Sequence, residues 1–222
     1  MKQLVIFDLD GTLLNTIKDL GNAANYALDR NGFHTHSIAS YPFFVGNGVR
    51  RLIERVLPED ARKKNTIVEA MLKDFKQYYN EHNVDLTKPY DGVDDMLRQL
   101  QEQGVKLAVA SNKYQQATEK IINHFFPHID WVAIEGQKDN VPVKPDPSVL
   151  FMILAQARIA KQDTLYVGDS GIDMEAARRA CVDSAGVTWG FRPVKELVEY
   201  NANVIINRPN DLLPIVENGL PL

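Results

Sequence analysis

Short apolar runs recur along the chain and end on acidic, small or polar residues: Leu4 to Phe7 before Asp8, Leu107 to Ala110 before Ser111, Leu165 to Val167 before Gly168-Asp169, and Ser184 to Val187. Runs of this length without polar alternation predict strands buried on both faces, as in a parallel sheet. Between them, apolar residues return at helical spacing, as in Val93, Met96, Leu97 and Leu100, or Val149, Phe151, Met152 and Leu154. Strand and helix alternating in this way predict an α/β fold built on a doubly wound parallel sheet. Ligands of such sheets sit beyond the carboxyl ends of the strands, where Asp8, Ser111 and Asp169 fall.

One stretch interrupts the alternation. From Thr16 to about Asn83 there is no strand pattern; Ile17, Leu20, Ala24, Ala27 and Leu28 line a helical face that stops at Asn31-Gly32, and Ile67, Met71, Phe75 and Tyr78 line another. With Val49 to Leu57 these segments predict a small helical domain over residues 16–83, inserted into a core made of 1–15 and 84–222. The turn-forming segment Thr87-Lys88-Pro89-Tyr90-Asp91-Gly92 returns the chain to the alternation and, with the exit near Asn15, reads as a hinge.

Composition narrows the function. A chain of 222 residues, 45% apolar, can bury a full core. A net charge of -4 and a pI near 5.7 argue against a sequence-independent grip on nucleic acid or on an anionic membrane surface, which leaves a small molecule as the expected partner of a monomer or homodimer. No apolar run approaches the roughly 20 residues of a membrane span. Cys181 is the single cysteine, so an internal disulfide and a thiolate metal cluster are excluded; with an N-terminal apolar run too short for a signal peptide, the expected compartment is the reducing cytoplasm. An acidic chain that binds an anion also needs a cation or a few well-placed basic groups.

The acidic strand ends supply candidate chemistry. Asp8 and Asp10 flank one residue, so both can face a single pocket, and Gly11 permits a sharp turn after them. One carboxylate there can attack phosphorus while the other protonates the leaving oxygen and later activates water; a lone Asp-x-Asp also serves as a helix cap. Asp169 ends a second strand, with Asp173 four residues on, and this set of hard oxygen donors suits Mg2+, with Asp8 and Asp169 as direct ligands and Asp173 as a ligand or an orienting group. Ser111, followed by Asn112 at the start of a helix, can hold a phosphoryl oxygen, and Lys144, framed by Pro142, Pro145 and Pro147, can bring an ammonium to it. His34, His36, His82, His124 and His128 show no ligand spacing, Trp131 and Trp189 read as packing residues, and Cys181 reads as a small buried hydrophobe.

Taken together, Asp8-Leu9-Asp10-Gly11-Thr12, Ser111, Lys144 and Gly168-Asp169-Ser170-Gly171-Ile172-Asp173 resemble, in order, the four motifs of the haloacid dehalogenase superfamily, whose Rossmann-like core carries a helical cap in one subclass. The resemblance implies a phosphatase acting on a small phosphorylated metabolite, with Asp8 as nucleophile, Asp10 as general acid and base and as a metal contact through its backbone carbonyl, Ser111 and Lys144 as phosphoryl binders, and Asp169 holding Mg2+. Phe44-Val45-Gly46-Asn47-Gly48-Val49-Arg50-Arg51 and Gly186-Val187-Thr188-Trp189-Gly190 look like the phosphoglycolate phosphatase branch, which implies that Asn47, Gly48 and Arg50 read a substrate carboxylate. Val143 stands where that branch often has a second lysine. A phosphomutase of the β-phosphoglucomutase type or a pyrophosphatase keeps the same motifs, and a phospho-acceptor switch would place an aspartate and a lysine similarly without turnover.

Overall fold

A computed structural model describes residues 1–220. In chain order the elements are β1 (Leu4–Phe7), β2 (Leu14–Asn15), α1 (Ile17–Arg30), α2 (Val49–Val56), α3 (Glu59–Arg62), α4 (Asn65–His82) and β3 (Lys88–Pro89). They continue with α5 (Val93–Glu102), β4 (Lys106–Tyr114), α6 (Gln115–Phe125), β5 (Trp131–Gln137), α7 (Ser148–Ala157), β6 (Thr164–Gly168), α8 (Gly171–Ala180), β7 (Asp183–Val187), α9 (Val194–Glu199), β8 (Val204–Ile206) and α10 (Leu212–Asn218). Two compact units emerge: Met1–Asn15 together with the chain from Pro89 onward, and Thr16–Lys88.

The first unit holds a six-stranded parallel sheet in the order β5-β4-β1-β6-β7-β8. All four residues of β1 are buried, as a central strand covered on both faces requires. The chain winds outward from β1 in both directions, so the switch point of the sheet lies at the ends of β4, β1 and β6. Phe7 pairs with Val109 on one side and Val167 on the other, which aligns the residues just past these three strands along one rim. Two strands escape the hydrophobic pattern. Edge strand β5 mixes Glu135 and Gly136 into its apolar residues, and β8 is three residues long. The buried face of α7 is Val149, Leu150, Ile153, Leu154 and Ala157, leaving Phe151 and Met152 of the expected face exposed. Cys181 is exposed rather than buried, because it occupies the left-handed residue (φ 56°) that ends α8.

The second unit packs α1 on α4. Tyr26 stacks on Tyr78 with centroids 4.5 Å apart, and Asn31 Nδ2 donates to Asp74 Oδ2 at 2.8 Å. Gly32 (φ 74°) follows α1, and the Phe33 N–H returns to the Leu28 carbonyl, the stop that Asn31-Gly32 foretold. Residues 84–88, expected in the core, go with the helices because Asp19 holds them. Its buried carboxylate accepts the N–H groups of Leu86 and Thr87 and the Thr87 hydroxyl at 2.8–3.0 Å. Removing this acceptor orphans buried donors, so Asp19→Ala is expected to cost about 3 kcal/mol in urea unfolding and to expose residues 84–88 to limited proteolysis. An unchanged midpoint would show that these bonds add nothing to the unit.

Candidate active site

Asp8 extends the ladder of its strand by one step, its N–H donating to the Val167 carbonyl at 2.8 Å. Beyond it the chain folds back on itself, with the N–H groups of Leu13 and Leu14 both reaching the Leu9 carbonyl, and Gly11 takes φ 93° in this turn. Asp10 thereby stays on the same rim. From the other two strands come Ser111 to Lys113 at the end of β4 and Asp169 at the end of β6. Carboxylate oxygens of Asp8, Asp169 and Asp173 all lie within 4.8 Å of one another, and the three residues are buried.

Lys144 sits at the centre of this group. Its ammonium is surrounded at 2.7–2.8 Å by Asp8 Oδ1, Asp173 Oδ1, the Ala110 carbonyl and the Tyr166 hydroxyl, and its side chain is 2% exposed. Burial by itself would lower the Lys144 pKa, but the carboxylates of Asp173 and Asp8 outweigh it and raise the value above that of an ordinary lysine. For Asp8 burial prevails instead. Burial pushes its carboxyl up to about 7, with Lys144 opposing and Asp173 and Asp10 adding to the rise. Asp169 is also driven well above the usual carboxylate range, by burial first and then by Asp173 and Asp8. Such a site accumulates negative charge that a bound cation would relieve.

The three carboxylates differ in what already holds them. Asp173 accepts from Lys144 and Tyr166 through Oδ1, and from the Ser170 N–H and hydroxyl through Oδ2, completing a capping box at the start of α8. That fits an orienting group. Asp8 meets Lys144 through Oδ1, and Asp169 meets the Phe191 N–H through Oδ2 at 2.7 Å. Asp169 is also squeezed between two glycines. A Cβ on Gly190 would stand 2.2 Å from the Asp169 Cβ, and one on Gly11 would stand 2.4 Å from its Oδ2. The donor set is entirely oxygen, as a hard divalent cation requires, and Asp8, Asp169 and Asp173 are the residues that could hold one.

Other expected residues take different places. The Ser111 hydroxyl, on the same rim, accepts the Lys113 N–H at 3.2 Å. Asn112 clamps the Lys144 backbone through its side-chain amide, donating to that carbonyl and accepting that N–H. In the helical unit, the Asn47 amide oxygen accepts from Arg55, Gly48 precedes α2 at φ 82°, and exposed Arg50 pairs with Glu69. Three participants were not singled out from the sequence: Lys113, which pairs with Asp10; Tyr166; and the Phe191 N–H. Lys113 had a readable signal, since a strand continuing past Ser111 turns residues 111 and 113 to the same side. A backbone donor such as that of Phe191 leaves no such signal.

Comparison with known proteins agrees with this geometry. The family model for haloacid dehalogenase-like hydrolases matches residues 5–187. A phosphoglycolate phosphatase of Pseudomonas putida is 33% identical over 96% of this chain and 79% of its own length, and one of Aquifex aeolicus is 31% identical over 98% of both. A crystal structure from Lactobacillus delbrueckii, provisionally assigned as a phosphoglycolate phosphatase, superposes with a TM-score of 0.88 at 31% identity, covering 97% of this chain and 99% of that one. With a parallel sheet whose switch point gathers Asp8, Asp10, Lys144 and Asp169, the chain belongs to the haloacid dehalogenase-like hydrolase family and stands among its phosphatases.

Proposed function

We propose that the protein is a Mg2+-dependent phosphatase of a small phosphorylated metabolite, with 2-phosphoglycolate the leading substrate, and that it works through an aspartyl-phosphate on Asp8. The observation that carries this reading is Asp8 held by buried Lys144 at 2.7 Å, beside Asp169, with Asp10 two residues on. The relatives named phosphoglycolate phosphatase support the substrate.

In the first half of the reaction a carboxylate oxygen of Asp8 attacks phosphorus while the bond to the leaving oxygen breaks and Asp10 gives that oxygen its proton. In the second half Asp10 takes a proton from water, the water oxygen attacks phosphorus, and Asp8 is released with inorganic phosphate. Lys144 and Ser111 face the phosphoryl oxygens, the ammonium offsetting charge that develops there. Asp8 and Asp169 would hold Mg2+ with the Asp10 carbonyl, and Asp173 would orient the set. The bound cation supplies charge neutralisation and alignment for the displacement. In the helical unit, Gly46-Asn47-Gly48 and Arg50 are the proposed readers of the substrate carboxylate, with Arg50 exchanging Glu69 for it. The enzyme is expected in the cytoplasm as a monomer or homodimer.

Phosphate release from a panel of 2-phosphoglycolate, β-glucose 1-phosphate, nucleoside monophosphates and pyrophosphate tests the reading directly. Activity on 2-phosphoglycolate is expected with Mg2+, abolished by chelation and lowered at least about 1,000-fold by Asp8→Asn. Isomerised sugar phosphate without phosphate release would indicate a mutase, and silence on every ester a binding switch.

Asp8 also ties stability to pH. Its carboxyl rises from 3.8 to about 7 on folding, so between these values the native chain binds a proton that the unfolded chain releases. This group therefore contributes least to the metal-free protein above pH 7, where Mg2+ meets deprotonated carboxylates. Calorimetry should show a larger Mg2+-induced rise in Tm at about pH 8 than at about pH 5.5; an equal rise at both would detach Asp8 from the metal. Because Gly190 abuts Asp169, Gly190→Ala should weaken Mg2+ binding about tenfold or more by titration calorimetry while the metal-free chain stays folded. Unaltered affinity would count against Asp169 as a ligand.

A further inference from the structure

Lys113 is buried, charged and not used by the mechanism above. Its Nζ lies 3.0 Å from Asp10 Oδ1, with side chains 3% and 18% exposed respectively. A lysine is rarely enclosed to this degree unless a carboxylate compensates it, because ordering its long side chain and stripping its ammonium of water both cost free energy. Lys144 cannot fill this place, being committed to Asp8, Asp173, Tyr166 and the Ala110 carbonyl.

The backbone beneath Lys113 is held from several directions. Its N–H donates to the Ser111 hydroxyl at 3.2 Å, and its carbonyl accepts the Thr118 hydroxyl at 3.1 Å. Gly136 of the neighbouring strand packs so tightly that a Cβ there would stand 2.7 Å from the same carbonyl. The pairing of β4 with β5 shifts register between Ala110 and Tyr114, the segment that carries Lys113. Such an anchor presents the ammonium at a set position, whereas a surface lysine samples many rotamers.

We propose that Lys113 is a positioning residue for the acid–base step, holding the Asp10 carboxyl in the orientation from which it protonates the leaving oxygen. The inference rests on the reading of Asp10 as general acid and base. One lysine then serves each carboxylate of the Asp-x-Asp pair, Lys144 the nucleophile and Lys113 the proton carrier. The bond changes are unaltered: the proton still leaves Asp10 for the leaving oxygen as its bond to phosphorus breaks. Lys113 touches neither atom.

A residue that acts only through Asp10 matters in proportion to the proton demand of the leaving group. An alkoxide cannot depart without a proton; p-nitrophenolate can. We therefore expect Lys113→Met to lower kcat/KM for 2-phosphoglycolate about 100-fold and that for p-nitrophenyl phosphate less than about threefold, with the same split in Asp10→Asn and recovery of most of the loss in Lys113→Arg. Equal losses on both substrates, with Asp10→Asn still showing the split, would overturn the role of Lys113 and make it a direct phosphoryl contact or a structural ion. Absence of the split in Asp10→Asn would instead remove the acid–base reading of Asp10. A wild-type chain silent on both esters would remove the phosphatase reading, and the inference with it.

Discussion

The carboxylate cluster of the site depends on the buried ammonium of Lys144. Lys144 reaches it from a proline-framed loop and meets groups from β1, β4, β6 and α8 at once. Without that cation Asp8, Asp169 and Asp173 could not stay buried within 4.8 Å of one another as carboxylates, since each would raise the others' pKa on top of the burial penalty. The Lys144 loop is secured in turn by Asn112, whose amide closes two bonds on the Lys144 backbone, and by the Tyr166 hydroxyl, which links the ammonium to Asp173.

Even so, the balance is incomplete. Four carboxylates, those of Asp8, Asp10, Asp169 and Asp173, stand against the ammonium groups of Lys113 and Lys144. Two more carboxylates than ammonium groups suit one divalent cation held by an oxygen-only donor set, and the neighbouring carboxylates add to the burial that raises Asp8 and Asp169. The substrate's charged phosphoryl group can then enter an otherwise acidic protein. Gly11 and Gly190 have a spatial part in this arrangement, since any side chain at either would displace Asp169.

Parallel topology explains why such residues meet at all. Every strand of the six-stranded sheet points its carboxyl end the same way, and the switch point leaves β4 and β6 on either side of β1. Residues separated by more than one hundred positions, such as Asp8 and Lys144, come within hydrogen-bond distance without any long-range sequence signal. The helical unit shows the same division on a smaller scale. Its apolar faces are local, but the tie from Asp19 to Leu86 and Thr87, which moves residues 84–88 into it, spans the whole unit.

From the sequence alone the central strands and the helical insert could be read, because buried strands are written as apolar runs, and Asp8, Asp10, Ser111, Lys144, Asp169 and Asp173 stood out as candidates by their place at strand ends or in a proline-framed loop. Edge strands β5 and β8 could not, since half-solvated or very short strands carry no comparable pattern, and the exposed Cys181 depended on a left-handed backbone at the end of α8. Only the tertiary structure turned Asn112 toward the Lys144 backbone, assigned the Phe191 N–H to Asp169 and paired Lys113 with Asp10. Local physics sets burial and periodicity residue by residue. Which donor meets which carboxylate is decided by packing among segments distant in the chain.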